Sequence, residues 1–329
     1  PAAMGEHVMV FAPVPQLTVT VEQVGDRPEL HLHAGGQGLW QARMIASLGV
    51  PVTFCAVLGG EVGRALKPLI ESEGLRLRAV ERQFGNGWYI HDRRGGVRTV
   101  VAEDSGELLG RHELDELYAL ALAEGLDATM SVLSGPAQPS VVPADIYARL
   151  STDLSENGAS IAADLSGDHL SAVLAGRPRF IKVSDEELVA NGRLKPDSDG
   201  GRDGGAVGRV DGAVDGGAVG GVIEAMWELR DEGAGTVVVS RADRPALALV
   251  DDQVLEVRMP RLSVRDHHGA GDSMTAGVVS VLARGGDLRT AIRTGAAAGA
   301  LNVTRHGLGT GNPEAILKLV EHVQLEAIS

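Results

Sequence analysis

The chain has 329 residues, enough for one large α/β domain with an appendage, and enough to bury a core without metal or disulfide staples. Its 30 Lys and Arg against 44 Asp and Glu leave a formal charge of −14, a field that repels nucleic-acid backbones and anionic lipid, so neither is expected as a partner. The single cysteine, Cys55, excludes an internal disulfide and a CxxC site and fits a reducing cytoplasm, no apolar run reaches the roughly 18 residues of a membrane span, and residues 1–10 lack the pattern of a secretory signal.

Short apolar runs alternate with helical patterns, which predicts a Rossmann-like α/β core, a mostly parallel sheet between helical layers in βαβα order. Strand 8–11 comes first, then helix 38–48, strand 52–57 and helix 64–73. Helix 112–124, strand 130–133, helix 144–157, strands 160–163 and 180–183, and a helix opening at Asp185 follow. Helix 222–232, strand 236–240 and helices 272–284 and 288–305 complete the pattern. Two segments, 18–34 and 76–101, show β alternation instead, with a hairpin turn expected at Arg94-Gly95-Gly96. They are expected to pair into a small β lid over the carboxyl edge of a core made of 1–17, 35–75 and 102–329.

Glycine makes up 44 of the 329 residues, about twice the usual share of ~7%, which suits close backbone approach. Ten of these glycines lie in 197–221, where GGAVG occurs twice, 12 residues apart. The spacing does not match a calcium-binding turn array, so a flexible insertion within the core is expected. Cys55, inside an apolar run, reads as a small core residue.

The stretch with the most chemistry is Gly269-Ala270-Gly271-Asp272, which leads into a helix of small residues. Its glycines can present successive amides at a helix N-terminus, an anion site favoured by the unpaired N–H groups and the helix dipole. Asp272 inside that turn fits a base that takes a proton from a hydroxyl attacking a bound phosphoryl group. Taken alone, the four residues read equally well as an ordinary helix start.

Several further stretches share one order with this turn. Gly35-Gly36-Gln37-Gly38 with Ala42 and Leu48-Gly49-Val50, Leu58-Gly59-Gly60 with Gly63, and Gly269 to Asp272 with Ala276-Gly277 resemble the signatures of the phosphofructokinase B (PfkB)/ribokinase family of carbohydrate kinases. Ser134-Gly135, Val142-Pro143-Ala144-Asp145 and Ile181-Lys182 with Ser184, Glu187 and Leu188 are similar to its 1-phosphofructokinase/tagatose-6-phosphate kinase branch.

The resemblance implies a ribokinase-like fold and an ATP-dependent kinase for a small-molecule hydroxyl substrate, with Mg²⁺ as bridging ion and a lid that forms a homodimer contact. On the same carry-over, Asp272 is the general base, and Gly269, Ala270 and Gly271 form the anion hole. Lys182, Ser184, Glu187, Ser240, Ala242 and Gly271 lie on the nucleotide side, with Glu187 ordering Mg²⁺ through water. Thr18, Gly35, Gly36, Gln37, Gly38, Trp40 and Asp272 lie on the substrate side. Without the resemblance, residues 185–187 read as an acidic first helical turn, Lys182 as a solvated strand end, and Trp40 as packing under the lid.

The departures cluster at the substrate end. Thr18 stands where the family has an Asp, Trp40 where it has an Asn, and Gln37 where it has a Lys. Phe84-Gly85-Asn86-Gly87 carries no counterpart of the arginine that grips a sugar phosphate, and neutral groups cannot replace a charge-assisted grip. On the donor side, Ser184 replaces an Asn, Ala242 a Gly, and His267-His268 occupy positions where Thr and a small or apolar residue are usual, a pair read as structural or tuning rather than as a metal ligand. An acceptor other than fructose 1-phosphate or 6-phosphate is therefore expected. The alternative is a catalytically weak member acting as a ligand-binding or regulatory protein.

Overall fold

The computed structural model describes residues 6–196, 216–242, 244–260, 262–263, 269–304 and 311–328. In chain order, the first half contains β1 (Val8–Phe11), β2 (Gln16–Val24), β3 (Arg27–Gly35), α1 (Gln37–Ser47), β4 (Val52–Gly59), α2 (Gly60–Ser72), β5 (Arg76–Arg82), β6 (Asn86–Asp92), β7 (Thr99–Gly106), α3 (Arg111–Asp127), β8 (Met130–Ser134) and α4 (Asp145–Glu156). The second half adds β9 (Ile161–Asp164), α5 (Gly167–Val173), β10 (Phe180–Ser184), α6 (Asp185–Ala190), α7 (Gly216–Asp231), β11 (Thr236–Arg241), β12 (Arg244–Val250), β13 (Gln253–Arg258), α8 (Ala270–Ala283), α9 (Leu288–Asn302), α10 (Pro313–Val320) and β14 (Gln324–Ala327).

Ten strands form one sheet in the order β14-β13-β12-β11-β10-β9-β8-β1-β4-β5, parallel from β5 to β11. The central strand β1 is buried along its whole length, as a strand covered on both faces must be. Its alternation divides the core. Val8 and Val10 face one apolar cluster with residues of α1, α2, α8 and α9, whereas Met9 and Phe11 face a second with residues of α3, α4, α5 and α7.

The βαβα order fails at one edge, where β11 to β14 run antiparallel. The β12–β13 turn consists of Asp251 and Asp252, with φ of 47° and 64°, a hairpin bend with both central residues left-handed. No glycine marks it, which is why the pattern reading passed over it.

The lid is a second sheet of four strands, β3-β2-β6-β7. Its boundaries differ from those expected. β5 pairs parallel with β4 and closes the main sheet, because Leu77 and Ala79 pack on one core cluster and Val80 on the other. The second lid segment therefore starts at Asn86 and runs to Gly106, beyond the expected end at 101, and the first spans 16–35. The bend at 94–96 lies between β6 and β7 as expected, with Gly96 at φ +78°.

α7 begins six residues before the expected helix. Val219, Val222, Ile223 and Met226 continue one apolar stripe onto the core, and that packing outweighs the low helix propensity of the glycines. The last part of the expected insertion is thus helical, and 197–215 lie outside the described residues. Among the described residues no helix is long and apolar enough to cross a membrane.

Candidate active site

The parallel strands bring their polar ends to one edge. Ser134 of β8 pairs in register with Asp164 of β9, Asp164 with Lys182 of β10, and Ser184 of β10 with Ser240 of β11. The chain runs to opposite sides of β1 on leaving it and returning at β8, and the crevice at such a switch point is where open α/β sheets bind ligands. α1 settles on this edge because Gly38 has no side chain. A Cβ there would lie 2.4 Å from the Ala12 Cβ and 3.2 Å from that of Ser134.

Asp164, 1% exposed, is the hub of the cluster. Thr275 Oγ1 donates to its Oδ2 at 2.8 Å, Gln41 Nε2 donates to the same oxygen at 2.9 Å, and Lys182 Nζ lies 3.4 Å from Oδ1. Gln41 Nε2 also reaches Asp272 Oδ1 at 3.3 Å, and Ser134 Oγ donates to Gln41 Oε1. Lys182 is buried in an ion pair, so it is no solvated strand end. Burial opposes its charge, but the carboxylates of Asp164, Glu187 and Asp272 outweigh this and hold its pKa above the usual lysine value.

Gly269, at φ +75°, caps α8. The first helical bond of α8 runs from the Ser273 N–H to the Gly269 carbonyl, so the amides of Ala270, Gly271 and Asp272 precede any intrahelical acceptor. Lys182 sits directly against this turn, since a Cβ on Gly271 would lie 2.5 Å from its Nζ. Half-buried Asp272 follows. Burial and the charge of Asp164 push its carboxyl up to about 7, against the pull of Lys182 and the Gln41 hydrogen bond.

Glu187 has two relations at once. Its Oε2 accepts from the Ser184 N–H at 2.8 Å and from Ser184 Oγ at 3.0 Å, and Ser184 Oγ accepts the Glu187 N–H at 3.1 Å. This capping box starts α6, as the acidic-turn reading expected. The charge of Glu187 nevertheless acts on Asp164, Lys182 and Asp272.

On the next strand, Ser240 sits at a bulge and Ala242 holds φ +43°, so alanine here keeps the left-handed bend that glycine normally takes. Arg244 Nη2 donates to Asp185 Oδ2 at 3.0 Å and ties this bend to α6.

On the lid side, a Cβ on Gly35 would come within 2.6 Å of Thr18 Oγ1 and 3.6 Å of the Tyr89 hydroxyl, so these two hydroxyls crowd the glycine turn. Gly36 (φ +110°) caps α1, and Gln37 and Trp40 are half-buried on it. Asn86 is a tie between lid and core rather than a surface ligand: Oδ1 accepts the Gly59 N–H at 2.8 Å, and Nδ2 donates to the Val57 and Pro15 carbonyls at 2.9 and 3.2 Å. Cys55 is fully buried, its thiol pushed up to about 12 by desolvation, and so unreactive. His267 and His268 lie outside the described residues.

Gln41, Asp164, Thr275 and Tyr89 escaped the sequence reading. A carboxylate closing the apolar strand Ile-Ala-Ala-Asp was the available signal for Asp164, and a glutamine on the buried side of α1 the signal for Gln41.

The cluster suits a polyphosphate with a divalent cation. Amides without an intrahelical acceptor and one ammonium suit the anion, while the carboxylates of Asp164, Asp272 and Glu187 suit a hard cation. Among the described residues no group of three or more His, Cys, Asp or Glu could itself hold a metal ion, so a cation here would rest on few protein ligands.

Comparison with known proteins gives the family and the fold. A family model described as "pfkB family carbohydrate kinase" matches residues 2–315. The ATP-dependent 6-phosphofructokinase isozyme 2 of Escherichia coli (strain K12) is 28% identical over 281 residues, 83% of this chain and 82% of that protein. The tetrameric inhibited form of Escherichia coli phosphofructokinase-2 superposes with a TM-score of 0.77 at 23% identity, covering 96% of this chain and 98% of that one. Arabidopsis thaliana ribokinase complexed with ribose and ATP gives 0.68 at 16% identity, covering 96% and 99%.

Proposed function

The chain belongs to the pfkB family of carbohydrate kinases, phosphotransferases with an alcohol group as acceptor, and on that premise we propose that it uses ATP to phosphorylate a hydroxyl of a sugar, a sugar phosphate or a related small alcohol, with Asp272 as general base. The observation that carries this reading is the place of Asp272. It directly follows the amides that open α8, with its carboxyl near 7 and the Lys182 ammonium against the same turn. A base with that affinity is matched to deprotonating a hydroxyl at neutral pH.

As the acceptor oxygen bonds to the γ-phosphorus of ATP, its proton passes to the Asp272 carboxylate, and the bond from phosphorus to the ADP oxygen breaks. The amides of Gly269, Ala270 and Gly271 hold the oxygens of the migrating group, and Lys182 offsets the charge that builds on them. Mg²⁺, when bound, would neutralise charge between the phosphates, and Glu187 would order its water ligands. Ser184, Ser240 and Ala242 border the nucleotide side.

Thr18, Gly35 and the α1 turn (Gly36, Gln37, Gly38, Trp40) border the acceptor, joined by the Tyr89 hydroxyl. This set is neutral, and the Gln41 amide is taken up by Asp164 and Asp272. On this reading the Thr18 and Tyr89 hydroxyls and the Trp40 indole contact the acceptor. The lid exposes Leu30 on β3 and, at its other edge, Val97 and Val101, and a homodimer through the lid is the assembly the family resemblance implies.

The test is ADP release with Mg·ATP over a panel of sugars, sugar phosphates and nucleosides. Stimulation by one compound, abolished by Asp272→Ala, is the expected result. ADP release with none of them, together with ligand-induced thermal stabilisation, would replace this reading with that of a binding protein.

A further inference from the structure

Gln41 is fully buried, and both N–H groups and the carbonyl of its amide are engaged. One N–H points to Asp164 Oδ2 at 2.9 Å, the other to Asp272 Oδ1 at 3.3 Å, and the carbonyl accepts from Ser134 Oγ. Ser134 is itself held in place, its backbone carbonyl accepting the Tyr147 hydroxyl at 2.8 Å. Carboxylates accept and a hydroxyl donates, so this amide orientation satisfies all three neighbours together.

Trp40 stands where the resemblance expects an amide. Gln41 carries an amide one position later, turned by about 100° around α1. That rotation directs the amide inward, to α8 and β9, and away from an acceptor-binding role.

We propose that Gln41 is a positioning residue for phosphoryl transfer, holding the Asp272 carboxylate in its reactive orientation and linking it to the buried Asp164–Lys182 pair. The inference rests on Asp272 being the base. The groups facing Asp272 are Asp164 on β9, Lys182 on β10, Glu187 on α6 and Gln41 on α1. Two of the three charged ones are carboxylates that oppose its ionisation, so a neutral donor supports the ionised form without cancelling the charge needed for proton transfer.

The experiment compares wild type with Gln41→Met, which keeps the length and removes the amide, and with Ser134→Ala, which frees the amide to turn. Kinetics give kcat, KM and the acid limb of the kcat–pH profile. Aspartate labelled with ¹³C at the carboxyl gives the Asp272 midpoint by NMR, its signal identified by its loss in D272N. For Gln41→Met the expected result is a kcat about tenfold lower at pH 7, a KM for ATP within twofold of wild type, and an acid limb and NMR midpoint both raised by about one pH unit. Ser134→Ala moves both the same way by less, and carries the test alone if Gln41→Met does not fold. A folded variant whose Asp272 midpoint and acid limb match wild type overturns the proposal. Should wild type turn over no acceptor, the kinase reading fails separately, and the NMR midpoints still decide whether Gln41 governs Asp272.

Discussion

The Lys182 ammonium fills the space that a side chain on Gly271 would need, with Nζ 2.5 Å from the position of that Cβ. The glycine turn and the lysine are thus one device, the missing side chain admitting a cation to the face of the anion site.

Gly271→Ala follows from this contact. The obstructed atom is the end of a flexible chain, so the fold adjusts cheaply while the ammonium is displaced. We expect kcat to fall roughly 10²-fold, the scale of losing one preorganised charge partner, with little change in Tm. Gly277→Ala is the contrast. Its Cβ would lie 2.7 Å from the Gly295 Cα, where α8 crosses α9, and rigid backbone cannot yield. That variant should lose about 1–3 kcal/mol of stability. Kinetics and thermal unfolding on both variants check the pair, and an unchanged kcat for Gly271→Ala would contradict the role of Lys182.

Asp272 gives a signed pH dependence. Its folded pKa of about 7 stands above the ordinary 3.8, so between those values the folded chain binds more protons than the unfolded one. Its contribution to stability is complete below about pH 4 and is lost as pH rises through 7. D272N cannot ionise and escapes that loss. Its Tm should match wild type near pH 4 and exceed it by about 2–4 °C at pH 8, while turnover drops by roughly 10²–10⁴. A Tm difference that is constant with pH would show that Asp272 titrates as an ordinary surface acid.

Ala242 bends left-handed at φ +43°. A side chain in that region costs about 1–2 kcal/mol, and a glycine there costs about 0.4–1 kcal/mol in unfolded-chain entropy. The first exceeds the second, so Ala242→Gly should stabilise by about 0.5 kcal/mol. Thermal unfolding reads it, and a lower Tm would mean that neighbouring contacts already compensate the bend.

How far the molecule was legible follows the range of each signal. Asp272, Gly271 and the capping box at Ser184 and Glu187 are local: adjacent residues create the helix starts that position them, and their sequence shows it. The central strands were equally plain, because a strand such as 8–11, covered on both faces, is apolar throughout. Asp164 and Gln41 lie 123 residues apart, and only the crossing of α1 over the ends of β8 and β9 joins them. No periodicity encodes such a pair. β5 misled for a related reason, since alternation records a half-buried strand without saying which sheet owns it.

Asn86 shows what that ownership depends on. It is 2% exposed, its carbonyl oxygen accepts the Gly59 N–H, and its amide nitrogen serves Val57 and Pro15, so one side chain joins the start of β6, the end of β4 and the residue before β2. Asn86→Ala would leave the Gly59 amide and two carbonyls without this partner in a space closed to bulk water, at a cost of about 2–4 kcal/mol. The loss should be uneven. Hydrogen exchange in β6 and β7 should speed up far more than in β8 to β10, whose parallel pairing does not pass through Asn86. Acceptor KM should rise more than ATP KM, because Thr18 and Tyr89 move with the lid and Lys182 does not. Uniform acceleration across both sheets would place Asn86 in the general core and remove its role as the lid's anchor.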